Sequence, residues 1–191
     1  MQSNRSQVFL ASIATALLFL AWPGVSRSQC SNSGQPSCDA YKSCFAKYCP
    51  CEAEADEYFM SYGDKYCRAF LGNTALSDAG KKWRESTMRC LQESIVPYLD
   101  ISAQPKCNCR QMKRRAFDSH VACYTKQGAS ICDLPAGDVA QISKTIDVKD
   151  LFDKAGWKQM YEVSKICAQT APEDGRRVTW KAVEVVLSSR M

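Results

Sequence analysis

The chain has 191 residues, twelve cysteines and a formal net charge of +5 at pH 7. This length suits one domain behind a leader, and the mildly basic balance excludes a typical nucleic-acid-binding protein. No internal repeat or low-complexity run is present.

The N-terminus has the pattern of a secretory signal peptide. Residues 8–22 are apolar except for two hydroxyl residues, follow a segment that carries Arg5, and precede Ser-Arg-Ser at positions 26–28. We therefore predict a signal over residues 1–28, too short for a comfortable membrane span. Cleavage would leave a soluble, extracellular chain that begins at Gln29, carries a net charge of about +3 and does not insert into membranes.

All twelve cysteines follow this signal. An even number in an oxidising compartment predicts six disulfides and no free thiol. The competing interpretation is a metal site at two Cys-x-Cys pairs, Cys49 with Cys51 and Cys107 with Cys109. Thiolate sites favour reducing surroundings and often recruit histidine, but His120 is the only histidine, so we expect no metal and no cofactor.

Two helices are predicted in the first part of the chain. The first covers residues 39–49 and stops at Pro50. The second begins at Pro50 and ends at Gly72 and Asn73, which are typical of a helix C-terminus. Its opening turns carry carboxylates that would complement the helix dipole. These are Glu52, Glu54, Asp56 and Glu57.

Ser77 is a suitable N-cap for a third helix, which reaches the region of Pro97. The fourth and central helix lies within residues 107–132. Residues at three- and four-residue steps form one stripe, which predicts its buried face. They are Cys109, Met112, Ala116, Phe117, His120, Cys123 and Tyr124.

Beyond Cys132 we expect a brief helix over residues 133–142 and a longer one from Asp147 to Cys167, bent near Gly156. A linker, residues 171–177, then leads to a segment that fits either a strand or a helix, of which we favour the helix. Strand signals are otherwise absent. The predicted fold class is therefore all-α: a small disulfide-rich helical bundle of about five helices over residues 29–169, followed by a C-terminal tail, residues 170–191.

Several motifs occur together in the middle of the chain. They are YCRAFL at residues 66–71, LSDAGKKWRESTMRC at residues 76–90, the pair Cys123-Tyr124, and Cys132 followed thirty-five residues later by Cys167. In combination they resemble the stanniocalcin family. The resemblance covers about residues 66–167. It implies a secreted, helical, hormone-like protein linked to calcium and phosphate homeostasis, and some members of the family inhibit an extracellular metalloprotease.

By position, the resemblance also implies a disulfide pairing. The implied pairs are Cys30 with Cys44, Cys38 with Cys67, Cys90 with Cys123, and Cys132 with Cys167. One further family bridge would join the two Cys-x-Cys motifs, and because each motif has a second cysteine we predict two adjacent bridges there. Both motifs are expected at helix starts, so the double bridge would clamp two helix N-termini together.

The chain departs from the family in two ways. No cysteine follows Cys167, so any homodimer is expected to be non-covalent. The only Asn-x-Ser/Thr motif begins at Asn4, within the predicted signal, so N-glycosylation of the mature chain is not expected.

A dense set of cations on the central helix is the main candidate binding surface. It could contact an acidic protein partner or a sulfated glycan, or be a solvated face that Asp118 partly balances. We call these residues the basic face: Lys106, Arg110, Lys113, Arg114 and Arg115.

Two other candidate sites are weaker. His120 precedes a Cys-Tyr pair as in secreted phospholipases A2, but Val121 stands where that chemistry needs a calcium-binding aspartate, so we interpret His120 as a half-buried structural residue. The carboxylates after Pro50 and a second set, Asp147, Asp150 and Asp153, lack the spacing of a calcium loop and more naturally serve helix starts.

The leading hypothesis is a secreted, non-enzymatic signalling or regulatory protein that binds an extracellular receptor or enzyme. One alternative is an inhibitor of an extracellular protease. From another class, the alternative is a small secreted phospholipase-type hydrolase centred on His120.

Overall fold

The structure, a computed structural model, describes Cys30 and residues 36–189. Over these residues it contains helices and no strand, which confirms the predicted all-α class. The predicted signal peptide, residues 1–28, lies outside the described residues. None of the described helices is long and apolar enough to cross a membrane.

Eight helices cover the described part of the chain, more than the five or so predicted. The first two contain π-helical turns, Tyr41–Ala46 and Phe59–Asp64, and the second runs on into α1. The α-helices are α1 (Lys65–Gly72), α2 (Asp78–Ile95), α3 (Cys109–Tyr124), α4 (Ala136–Thr145), α5 (Val148–Leu151), α6 (Lys154–Thr170) and α7 (Asp174–Ser188). Short 3-10 turns cover Val96–Tyr98 and Ile131–Asp133.

The acidic segment after Pro50 forms turns, so the predicted helix start is wrong. The second helical segment begins instead with the π-helical turn Phe59–Asp64. Both cysteines that flank the proline are tied by disulfides to the start of α3, and this anchoring holds the backbone out of a helix. Of the four carboxylates, Glu57 does serve a helix start, because its two oxygens accept hydrogen bonds of 2.7 Å from the backbone N–H groups of Met60 and Ser61.

Six disulfides connect the helices, and no described cysteine is free. They join Cys30 to Cys44, Cys38 to Cys67, Cys49 to Cys107, Cys51 to Cys109, Cys90 to Cys123, and Cys132 to Cys167. Four of these are the pairs that the resemblance implied, and the two adjacent bridges between the Cys-x-Cys motifs are also present. Which cysteines they join, left open by the sequence, is Cys49 with Cys107 and Cys51 with Cys109. The double bridge joins the N-terminus of α3 to a non-helical link, however, and not to a second helix N-terminus.

Helix α3 lies between two hydrophobic cores. Its first half contributes Met112 and Ala116 to a core formed with the N-terminal helices and the end of α2. Its last turns place Val121 and Tyr124 against a second core, formed by α2, α4 and α6. The stripe predicted from sequence periodicity therefore faces the interior along its whole length, and the opposite side of α3 faces solvent.

The helical structure is interrupted between α5 and α6, slightly before the bend predicted near Gly156. Asp153 Oδ1 accepts a 2.6 Å hydrogen bond from the backbone N–H of Gly156 and so caps α6. A Cβ atom at Gly156 would lie 2.8 Å from the carbonyl oxygen of Leu151, closer than real Cβ contacts. The missing side chain therefore lets α5 fold back against the first turn of α6.

The C-terminal tail is a packed helix. Helix α7 begins at Asp174, so the predicted linker is wrong for its last four residues, while the preference for helix over strand is confirmed. The indole N–H of Trp157 on α6 donates to the carbonyl oxygen of Leu187 at 3.1 Å, and Arg177 donates to that of Ala171 at 2.7 Å. Because Trp180 packs on the second core, α7 is part of the bundle.

Candidate functional site

The basic face lies on a helix that covalent bonds hold at both ends. Asn108 accepts a 2.9 Å hydrogen bond from the backbone N–H of Gln111 and caps α3. Cys109, the first residue of the helix, is bonded to Cys51, and Cys123 in its last turn is bonded to Cys90. The outward side chains of α3 therefore project from a backbone with little freedom to move.

Three of the five cations have partners. Arg110 Nε lies 3.2 Å from Asp56 Oδ2, and Lys113 Nζ lies 3.7 Å from the other oxygen of the same carboxylate. The guanidinium of Arg115 lies 3.9 Å from the ring centroid of Tyr98, a cation–π geometry. Such exposed ion pairs contribute only about 0–1 kcal/mol, so an incoming anion can compete for these groups.

The other two cations face solvent. Arg114 is exposed, and within the described part of the chain no carboxylate lies within 4.0 Å of it; the predicted balance by Asp118 is not formed. Lys106 uses its backbone N–H, which donates to Asp100 Oδ2 at 2.8 Å and lowers the pKa of that carboxyl, while its side chain is exposed. The basic face thus keeps a positive surplus around Arg114.

Sequence reasoning missed the partners of this face. Asp56 was assigned to a helix dipole, and Tyr98 was not singled out. Both lie far from α3 along the chain, and local periodicity carries no signal for such contacts.

His120 is fully buried, not half-buried, with 2% of its surface exposed. The Gln159 amide nitrogen donates to the carbonyl oxygen of Phe117 at 3.1 Å, so its oxygen accepts from His120 Nδ1, also at 3.1 Å. Nε2 then accepts from the Tyr58 hydroxyl at 3.1 Å. Burial lowers the pKa of His120 to about 4, against a smaller opposing effect of Gln159, so the ring is neutral at pH 7.

This arrangement is that of a structural histidine. Both ring nitrogens are used inside the core, and the ring also stacks on Tyr124, with 5.4 Å between centroids. A general base needs a free nitrogen within reach of a substrate proton.

The aspartates around α5 are used within the fold. Asp147 and Asp150 share Lys65, at 2.5 and 3.1 Å from its Nζ. Tyr66 donates its hydroxyl hydrogen to Asp150, and this bond is the main cause of the lowered pKa of that carboxyl. Asp153 caps α6. The three carboxylates thus tie α1, α5 and α6 together and do not converge on one point.

The adjacent bridges bring three sulfur atoms together. Those of Cys49, Cys51 and Cys107 all lie within 4.8 Å of one another. Each is in a disulfide, whereas a metal site needs thiolates. The cluster is therefore explained by two neighbouring disulfides.

No protein-family model, curated protein or solved structure matches this chain. The stanniocalcin resemblance therefore rests on the sequence motifs described above and stays a prediction.

Proposed function

We propose that the protein is a secreted, non-enzymatic signalling or regulatory protein that acts by binding another extracellular protein through the basic face of α3. The predicted signal peptide and the six disulfides, which are typical of an oxidising compartment, support secretion. The resemblance to stanniocalcins supports a hormone-like role in calcium or phosphate homeostasis.

The observation that carries this proposal is the solvent-facing charge on a braced helix. Arg114 and Lys106 project from, or directly before, a helix fixed at its first residue and in its last turn. A backbone that is already fixed loses little conformational entropy on binding, so only the side chains are ordered at that point and more of the contact energy becomes affinity. The complementary partner presents acidic side chains or sulfate groups.

The test compares charge reversals on the purified, oxidised protein. Labelled protein is bound to cultured cells, with and without enzymatic removal of cell-surface heparan sulfate. Arg114→Glu combined with Lys106→Glu leaves the ion pairs of Asp56 intact. We expect it to weaken saturable binding about tenfold, which corresponds to about 1.4 kcal/mol.

The matched control is Lys165→Glu combined with Lys42→Glu, two exposed lysines that do not belong to the basic face. It makes the same change in net charge and should leave binding unchanged. Equal losses in both double variants would show that net charge alone matters and would reject the basic face. Binding that survives glycan removal but needs Arg114 identifies a protein partner, whereas binding lost on glycan removal assigns the face to sulfated glycans and rejects the protein–protein proposal.

A further inference from the structure

A second feature, independent of the basic face, is an apolar cavity of about 270 Å³. It lies among α4, α5, α6 and α7 and extends to Tyr62 and Tyr124. Most of its wall is aliphatic or aromatic, with Ile142, Met160 and Trp180 from three different helices. The cavity is partly open to solvent, since its lining residue Val183 is exposed, and its volume exceeds the roughly 150 Å³ that holds benzene in an engineered apolar cavity.

The walls of this cavity are braced, which explains why it does not collapse. The Cys132–Cys167 disulfide ties the segment before α4 to α6. The hydrogen bond from Trp157 to the Leu187 carbonyl holds the end of α7 on α6. The Asp150 contacts with α1 hold α5 in place.

Three polar side chains in the wall are already paired within the protein, whereas the Tyr62 and Tyr124 hydroxyls make no hydrogen bond within the described residues. Asp150 is paired with Lys65, and the Gln159 amide bonds to His120 and Phe117. The Ser143 hydroxyl donates to the carbonyl oxygen of Val139 at 3.0 Å. Asp150 is the single charged residue among those that line the cavity, and no lysine or arginine joins it there.

From these observations we propose that the cavity binds a small neutral apolar molecule. The apolar wall favours a hydrocarbon body, and the two tyrosine hydroxyls can bond to a small neutral polar group on the ligand. An anionic head is disfavoured, because Asp150 shares the single ammonium group of Lys65 with Asp147, so these two carboxylates keep a net negative charge, and the lining itself offers no cation. This site does not depend on the function proposed for α3.

The first test uses unmodified, oxidised protein and a fluorescent neutral probe, N-phenyl-1-naphthylamine. We expect saturable binding of one probe per chain. 1-Decanol should displace the probe at a concentration at least tenfold lower than decanoate does, because the two share a tail and differ in charge. Absence of saturable binding, or equal displacement by alcohol and carboxylate, would overturn the proposal.

A pair of variants on α7 places the site. Val183 lines the cavity and is 38% exposed, so Val183→Trp adds a ring that occupies the space with little effect on the core. Val178 is 70% exposed and is not part of the lining, so Val178→Trp is the matched control. Probe affinity should fall at least tenfold in the first variant and stay unchanged in the second; equal affinities would reject this cavity as the site.

Asp150→Asn tests the role of charge. The amide oxygen can still accept from Tyr66, so that contact with α1 is kept, whereas the ion pair with Lys65 is lost and Lys65 stays paired with Asp147. Decanoate should then approach 1-decanol in its ability to displace the probe. A preference for the alcohol that is as large as in the unmodified protein would show that Asp150 does not select against anions.

Discussion

The two adjacent bridges at the start of α3 should stabilise the fold in a strongly non-additive way. Each joins residues 58 positions apart. If either bridge alone is present, the long loop is already closed, and the second closes only a small ring of about four residues between the Cys-x-Cys motifs. In the chain-entropy model, a ring of that size contributes about 2 kcal/mol and the long loop about 4 kcal/mol.

We therefore expect removal of either bridge to cost about 2 kcal/mol, and removal of both about 6 kcal/mol. The variants are Cys51→Ala with Cys109→Ala, Cys49→Ala with Cys107→Ala, and the quadruple replacement. Guanidinium unfolding followed by helical circular dichroism gives the free energy of unfolding of each. A quadruple variant that loses only the sum of the two double variants would refute the reasoning, because independent bridges would then add.

Three further predictions concern two buried polar residues, His120 and Asp138, and their neighbours. The pKa of His120 is about 4 in the folded protein and about 6.5 in the unfolded chain, so the unfolded chain binds a proton first as the pH falls. The free energy of unfolding should therefore decrease between pH 6.5 and pH 4, by up to about 1.4 kcal/mol per pH unit. His120→Gln should flatten that part of a stability–pH profile, and parallel profiles would contradict the assignment. Ser77→Ala removes the cap on Gly80 and a bond to buried Asp138, so unfolding should become easier by about 2 kcal/mol in denaturant titrations, with Ser77→Thr recovering most of it. Gly80→Ala should lower the melting temperature, because a Cβ atom there would lie 2.8 Å from the Asp138 carboxyl carbon. Gly137→Ala should raise the melting temperature, because its Cβ atom would meet open space and alanine favours the helix. Equal shifts in the two variants would rule out the steric reason.

The helical class and the buried side of α3 were predictable because they depend on local spacing. Met112, Ala116 and His120 recur at helical steps, and that period alone orients them toward one side. The cap at Ser77 was likewise visible, since an N-cap acts on an N–H group three residues away. The cysteine count indicated six disulfides, although the pairing of four came from the resemblance and the pairing within the Cys-x-Cys motifs came only from the structure.

Contacts between distant residues were decided only by the tertiary structure. Asp56 looked like a helix-start residue, but the neighbouring disulfides place it under Arg110, 54 positions along the chain. His120 became fully buried because Gln159 on α6 and Tyr58, which directly precedes the π-helical turn Phe59–Asp64, close over it. The cavity likewise forms where α4 to α7 meet.

What the sequence determined by itself is therefore the set of amphipathic helices and the supply of cysteines, because hydrophobic period and capping act within a few residues. Packing between the helices decided which charges of the basic face are neutralised and where the apolar cavity lies. Those outcomes depend on which helix surfaces meet, and contacts between residues far apart in the chain produce no periodic pattern in the sequence.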